Sequence, residues 1–384
     1  MNARTVGALL GMAALLVTGL STGVRVYYLL FGVLASMLLI ALVSTVWALA
    51  TLKVSISTDV NRATRGDRMG LVFTVRHLSF MPVAYIGIEM DVPSQVTGTH
   101  EVTVRAAALK RRTFRQVLLC PHRGVYQIGL RRASAEDVFG LIRLSKRMKS
   151  SNAILEVALR DRKADAMALG NVDDGPMYFS RSTEDTASPS DVRAWQNGDS
   201  LKKVHWKLSM RRRQVLVRTY EESARPDTLI LPDLSPIPAL RDQQLTLEDE
   251  ICESALSIAR AQLEAGYPVR MPLTCSVPME LSAHFMADFA PFGDALMRVP
   301  FDSATPYEQV LMMMTPRLQR TGGAVLITAR LTTRVADMAL KLRQSGVRVR
   351  LVWISEDVRD QSLSMLERLK MDGVEVQVRN LREG

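Results

Sequence analysis

The sequence predicts a chain of mixed α/β and β class in three parts: a two-helix transmembrane hairpin, an antiparallel β-sandwich, and a doubly wound α/β domain. Three observations carry that expectation. Two long uncharged apolar runs occupy residues 1–52, short alternating runs between turn residues follow to about residue 157, and apolar strands alternate with helical patterns beyond residue 227. The expected boundaries are 1–52 for the hairpin, 53–160 for the sandwich, 161–190 for a linker or long loop, and 191–384 for the rest. A length of 384 residues with 47% hydrophobic content accommodates all of these.

The hairpin comes first. Val6 to Val24 and Val26 to Leu52 are each long enough to cross about 30 Å of hydrocarbon. Tyr27 and Tyr28 stand at one end of the second run and Trp47 near the other, as interfacial aromatics do. Only Ser21 to Arg25 separates the runs, so both flanks fall on one side. Arg4 precedes the first run, Lys53, Arg62, Arg65 and Arg68 follow the second, and Arg25 alone lies in the turn, which places the flanks in the cytoplasm. A cleaved signal peptide ending at Ser21-Thr22-Gly23 is the competing reading, and the second apolar run argues against it. Cys120, Cys252 and Cys275 are odd in number and far apart, as in a reducing compartment.

Strands are expected at Lys53–Val60, Arg68–His77, Tyr85–Val92, Glu101–Ala106, Arg112–Leu119 and Gly124–Arg131, where the period is two. Arg123-Gly124-Val125-Tyr126 and Asp137-Val138-Phe139-Gly140-Leu141 read as turn chemistry with core packing. Asp161 to Pro189 is polar and lacks periodicity. Its acids Asp173, Asp174, Glu184 and Asp185 suit folding back onto the basic block that follows.

That block is the densest chemistry in the chain. From Lys202 to Arg218 there are seven Lys or Arg and no acid, with Trp195 and Trp206 beside them. Leu201, Val204 and Leu208 recur at helical spacing after a cap at Asp199 or Ser200, and Val215, Val217 and Thr219 then alternate as in a strand. Arg193, Trp195, Asp199, Lys202, Lys203, His205, Trp206, Lys207, Arg211, Arg212 and Arg213 are the candidate interaction residues. A solvated basic face with Trp206 plugging a junction is the plainer alternative.

The order Arg193, Trp195, Gly198-Asp199, Lys202, His205-Trp206-Lys207, Ser209, Arg211, Val217, Glu221-Glu222 resembles the signature of the family called domain of unknown function 58. The chain departs from it with Trp195, Asn197, Lys202 and Met210 in place of Tyr, Pro, Arg and Ala. The two turn motifs of the sandwich resemble that family as well. The resemblance implies a protein of the bacterial inner membrane that works beside a MoxR-type AAA+ ATPase, often with a transglutaminase-like membrane protein.

In the last part, strands are expected at Thr228–Leu231, Tyr267–Cys275, Gly323–Thr328, Val347–Ile354 and Val374–Val378. Helices are expected at Leu247–Ala265, Tyr307–Arg320, Thr333–Ser345 and Asp357–Met371. Ligands of such sheets sit at the carboxyl ends of strands, which directs attention to the loops after Leu231 and Thr328. The loop Pro232-Asp233-Leu234-Ser235-Pro236-Ile237 resembles the start of a von Willebrand factor A-like domain, where Asp-x-Ser-x-Ser holds a divalent cation. Here Ile237 takes the third place and Ala329 stands where a further Asp belongs. Asp233 and Ser235 are therefore a degenerate pair, expected to serve as turn residues without a metal or other cofactor.

No Walker loop, His-Glu-x-x-His, Gly-x-Ser-x-Gly or paired-cysteine motif occurs. His205 and Ser209, four apart, make a weak catalytic pair. The function expected is a membrane-anchored cytoplasmic adaptor. Its rivals are a module binding anionic lipid or nucleic acid through the basic block, with nucleic acid the lesser expectation, and a metal-dependent enzyme at Asp233.

Overall fold

The structure, a computed structural model, describes residues 3–76, 84–98, 101–104, 111–148, 152–169, 191–195, 204–219, 226–318, 321–355 and 360–381. The chain divides into two compact units, Met1–Arg160 and Asp161–Gly384.

The first unit opens with helices α1 (Ala3–Thr22) and α2 (Arg25–Thr51), both long and apolar enough to cross a membrane. Gly23 adopts φ +67°, and its N–H closes on the Gly19 carbonyl to end α1. Gly19 faces the first turn of α2, where a Cβ would sit in ordinary contact with Tyr27 Cβ and Tyr28 Cζ at 3.4 Å. Leu52 alone separates α2 from β1 (Lys53–Thr58). Ala48, Leu49 and Leu52 share one buried cluster with Val54 and Ile56, so the helix continues into the core of the β-region.

β1, β3 (Arg68–Arg76) and β6 (Arg111–Leu119) form an antiparallel sheet. A second sheet runs β2 (Arg62–Thr64), β9 (Ala153–Ala158), β7 (Gly124–Glu136), β4 (Tyr85–Asp91), β5 (Glu101–Val104), and β8 (Arg143–Arg147) also pairs with β7. Phe73 and Leu71 from one sheet and Ile86, Ile88, Ile128 and Leu155 from the other meet in the same core. The pairing of β2 with β9 is parallel, a departure from the wholly antiparallel expectation. Strand β7 runs beyond the expected end at Arg131. Glu89 faces Arg132 and Met90 faces Leu130, so Arg131 is the extra residue of a bulge. The bulge moves the buried phase from Tyr126, Ile128 and Leu130 to Ala133 and Ala135.

The two turn motifs act as turns. The Tyr126 hydroxyl donates to the Arg123 carbonyl at 2.8 Å across Gly124, which sits at φ +146°. Buried Asp137 accepts from the N–H groups of Phe139 (2.9 Å) and Ile142 (2.6 Å), with Gly140 at φ +67°.

The second unit holds a six-stranded sheet in the order β14 (Met279–Ala283), β13 (Val269–Leu273), β12 (Asp227–Pro232), β15 (Thr321–Thr328), β16 (Arg348–Ser355), β17 (Glu375–Asn380). All neighbours are parallel except β13 and β14. Near-continuous burial along β12 and β16 is what a sheet covered on both faces requires. Helices α6 (Tyr307–Met314), α7 (Thr333–Gln344) and α8 (Asp360–Met371) pack on Leu229, Leu231, Leu326, Leu351 and Trp353. The long helix α4 (Arg241–Glu264) lies against β12, β13, β15 and β16, and α5 (Ala290–Arg298) packs on it. Helix α4 begins six residues before the Leu247 expected from periodicity, because its first turns carry no apolar repeat.

Asp161 to Leu169 has no regular structure and belongs to this second unit. Met167 and Leu169 are buried at Gly323, where a Cβ has no room. Arg162 makes a two-pronged contact with Glu250 at 2.8 and 3.0 Å and reaches Glu253 at 3.5 Å. Arg350 donates to the Asp165 carbonyl (2.6 Å), and the Tyr267 hydroxyl to the Leu169 carbonyl (3.1 Å). Asp173, Asp174, Glu184 and Asp185 lie outside the described residues.

Candidate functional site

The basic signature forms a small hairpin. Strand β10 (Asp191–Ala194) pairs antiparallel with β11 (Leu216–Thr219), so Arg193 faces Val217, and Trp195 N–H donates to the Val215 carbonyl to close the base. Between the strands stands α3, which runs Trp206–Arg212 and not from Leu201. Val204 is buried ahead of the helix, Leu208 is half-buried, and the wholly buried helical position is Ser209. Leu201, the first position of the helical spacing read from the sequence, lies outside the described residues. His205 caps the helix, its Nδ1 accepting from Leu208 N–H at 3.2 Å. Ser209 Oγ accepts from Leu216 N–H at 2.9 Å. Both members of the weak His205–Ser209 pair thus hold backbone.

The rest of α3 faces outward. Trp206 is 60% and Met210 80% exposed, one helical turn apart. Lys207, Arg211, Arg212 and Arg213 are exposed beside them. Arg213 sits at φ 51°, a left-handed cap whose N–H bonds to the Ser209 carbonyl, which gives it a structural role distinct from Arg211 and Arg212. Asp199, Lys202 and Lys203 lie outside the described residues.

The second candidate lies at the carboxyl ends of β12 and β15, where connections leave the sheet in opposite directions. Asp233 is 3% exposed. Its Oδ1 accepts from Ser235 Oγ (2.6 Å) and Ser235 N–H (3.1 Å), and its Oδ2 from Thr328 Oγ1 (2.7 Å). The Arg330 guanidinium approaches Oδ1 at 3.6 Å. Thr328 Oγ1 in turn accepts from Arg330 N–H at 2.9 Å, which ties the loop after β15 to the carboxylate. Tyr307 is buried and donates to the Leu231 carbonyl at 2.6 Å. Burial, and then the negative charge of Asp233, push its phenol well above the usual tyrosine range. Asp233, Ser235, Ser303, Tyr307, Glu308 and Arg330 help line a cleft of about 330 Å³.

These residues do not fit a divalent cation. The Asp233 carboxylate is already engaged by two hydroxyls whose protons point at it, and Arg330 supplies the positive charge. Among the described residues no group of three His, Cys, Asp or Glu suits a metal. The carboxylate ties Ser235 and Thr328 together at the mouth of the sheet. Arg330, Tyr307 and Ser303 come from separate segments, and only the strand-end rule pointed toward their neighbourhood.

Known proteins add the following. The chain is 23% identical over 215 residues to the "Uncharacterized protein YeaD" of Bacillus subtilis, covering 54% of each sequence, so it spans about half the length of that curated relative. Among solved structures, it aligns with a FixG-related protein from Vibrio parahaemolyticus at 10% identity, covering 28% of this chain and 96% of that one with a TM-score of 0.20. A non-cellulosomal cohesin from Archaeoglobus fulgidus aligns at 12% identity, covering 27% and 91% with a TM-score of 0.20. Both likenesses are too slight to place the chain. Residues 191–380, which hold both the signature hairpin and the cleft, match the family described as "Protein of unknown function DUF58".

Proposed function

We propose that this chain is a membrane-anchored adaptor and not an enzyme, docking a protein partner through helix α3. The observation that carries the reading is the pairing of Trp206 and Met210 on the exposed face of α3 beside Lys207, Arg211 and Arg212. Large exposed apolar residues set among arginines are the composition of interface hot spots. The partner is an acidic protein surface, and the resemblance of the signature makes a MoxR-type AAA+ ATPase the foremost candidate, with a transglutaminase-like membrane protein as a further member of the assembly. Helices α1 and α2 anchor the chain in the inner membrane with both units cytoplasmic, a reading supported by Arg4 and the basic residues after Leu52. The strand order of the second unit, with its antiparallel edge strand β14, supports a von Willebrand factor A-like fold that has exchanged its cation for Arg330.

The test is capture of the full chain from membranes in mild detergent with and without ATP. Wild type is expected to retain the ATPase, while Trp206→Ala and the double variant Arg211→Gln/Arg212→Gln lose it yet remain folded. Normal capture by both variants sinks the docking role of α3. Salt-sensitive retention of anionic vesicles or nucleic acid by wild type in its place favours the rival binding module.

A further inference from the structure

The turn after β7 stands at the start of the first apolar helix. Thr5 Oγ1 donates to the Leu141 carbonyl, and Arg4 Nη1 lies 3.0 Å from the position a Cβ on Gly140 would take. At the tip of this turn Val138 and Phe139 are 54% and 50% exposed. The tip is stiff, because Asp137 holds the N–H groups of Phe139 and Ile142. Two adjacent apolar side chains are therefore held outward on a fixed backbone.

Their level relative to the helices follows from packing. Gly19 lies against Tyr27 and Tyr28, a register that brings Thr5 level with the Ala41–Leu42 turn of α2. From there to Gly23 each helix has about 18 residues, or roughly 27 Å at 1.5 Å per residue, close to the thickness of a bilayer's hydrocarbon. Beyond that level α2 is enclosed by protein on one side: Ser44, Thr45, Ala48 and Leu49 are buried, and α2 packs on β7 and β8. Trp47 stays 53% exposed on the other side, and Tyr85, 38% exposed, faces Glu136 beside the turn. Aromatic residues gather where the spans emerge, as in an interfacial belt.

We infer that the Asp137–Ile142 turn is a membrane-interface anchor, inserting Val138 and Phe139 among the headgroups and upper acyl chains of the membrane crossed by α1 and α2. This rests on the reading that the two helices span a membrane. The anchor fixes the tilt of the first unit: α2 alone leaves it free to lean, while a second contact beside Arg4 defines a plane. The occupant is lipid and not a protein because the patch is continuous with the lipid-facing helices through the Thr5–Leu141 contact.

The experiment uses the full chain with Cys275→Ser, reconstituted in phosphatidylcholine and phosphatidylglycerol vesicles. A nitroxide is attached at Phe139→Cys, Val33→Cys or Ile154→Cys, positions that are all exposed. Collision rates with molecular oxygen and with a water-soluble nickel chelate are compared at each. The expected result is a deep label at Val33, an aqueous label at Ile154, and an intermediate depth at Phe139 with an oxygen-to-nickel ratio several-fold above that of Ile154. If Phe139 matches Ile154 while Val33 is deep, the anchor is overturned and the spans stand. Shielding of Phe139 from both probes means a protein contact and overturns it too. An aqueous Val33 removes the spans and the anchor together.

Discussion

Thr328→Val tests how the mouth of the α/β sheet is held. The substitution keeps the shape and removes one hydroxyl, which donates to Asp233 Oδ2 at 2.7 Å and accepts from Arg330 N–H at 2.9 Å. A hydrogen bond to a charged group contributes about 1.5–3 kcal/mol, and Asp233 is too deeply buried for water to replace it. Arg330 lies at the surface, so its N–H regains a partner in solvent and adds little. The expected loss is therefore about 2–3 kcal/mol, or roughly 5–10 °C in Tm for a domain of this size. Thr328→Ser keeps the hydroxyl and gives up a methyl group, which costs about 1 kcal/mol. Denaturant unfolding followed by the emission of Trp353 reads the right place, because Trp353 is 5% exposed and faces Thr328 across β15 and β16. Equal stability of the Val and Ser variants would refute the idea that Asp233 anchors this end of the sheet through its hydroxyl partners.

Further outcomes follow from the same contacts. Millimolar Mg²⁺ or Mn²⁺ should leave the thermal midpoint unchanged, since a ligand stabilises only above its dissociation constant; a shift abolished by Asp233→Ala would restore the cation site. Tyr307 keeps its proton longer folded than unfolded, so its contribution is intact below pH about 10 and is lost as pH rises beyond it. Tyr307→Phe should flatten that alkaline slope in denaturant titrations, and an unchanged slope counts against the assignment. The Cys120 thiol is pushed up to about 11, by burial first and then by Asp67, so iodoacetamide at pH 8 should modify half-buried Cys275 well before Cys120, as peptide mapping will show. A reporter fused after Gly384 should be active only in its cytoplasmic form, and alkaline phosphatase activity there reverses the topology.

Much of the fold was legible where one period governed a segment. Strand β1 alternates exposed and buried residues as its sequence does, and β12, buried almost throughout, reads as a continuous apolar run. Legibility failed where two local rules met. The period of β7 breaks at Arg131-Arg132, which looks like a strand end and is a bulge, because only the partner strand reveals the residue that is skipped. Edge strand β14 alternates Met279, Leu281 and Ala283 with Glu280 and Ser282, but it is only five residues long and buries only Ala283, too short a run to stand out as a strand. Met167 and Leu169 are two apolar residues in a polar stretch, too few to signal that the segment packs on the sheet. The cleft is harder still. Asp233 and Thr328 are 95 positions apart, and no local spacing announces a bond between them.

The signature hairpin shows how a recognisable motif divides into scaffold and surface. Leu216 is its hub: its N–H bonds to Ser209 Oγ, and its carbonyl accepts from His205 N–H at 2.8 Å. His205 also caps α3, and Arg213 ends it in a left-handed conformation that costs a non-glycine residue about 1 kcal/mol. Substituting these positions disturbs the hairpin whatever it binds, so loss of partner capture in such variants carries no information about recognition. Trp206, Met210, Arg211 and Arg212 have no comparable duty to the backbone. Arg213→Gly separates the two sets: it should raise stability by about 0.5–1 kcal/mol by relieving the left-handed strain, and leave capture intact because Trp206 and Arg211 remain presented. A stable Arg213→Gly variant that no longer captures its partner places Arg213 in the recognition surface and merges the two sets.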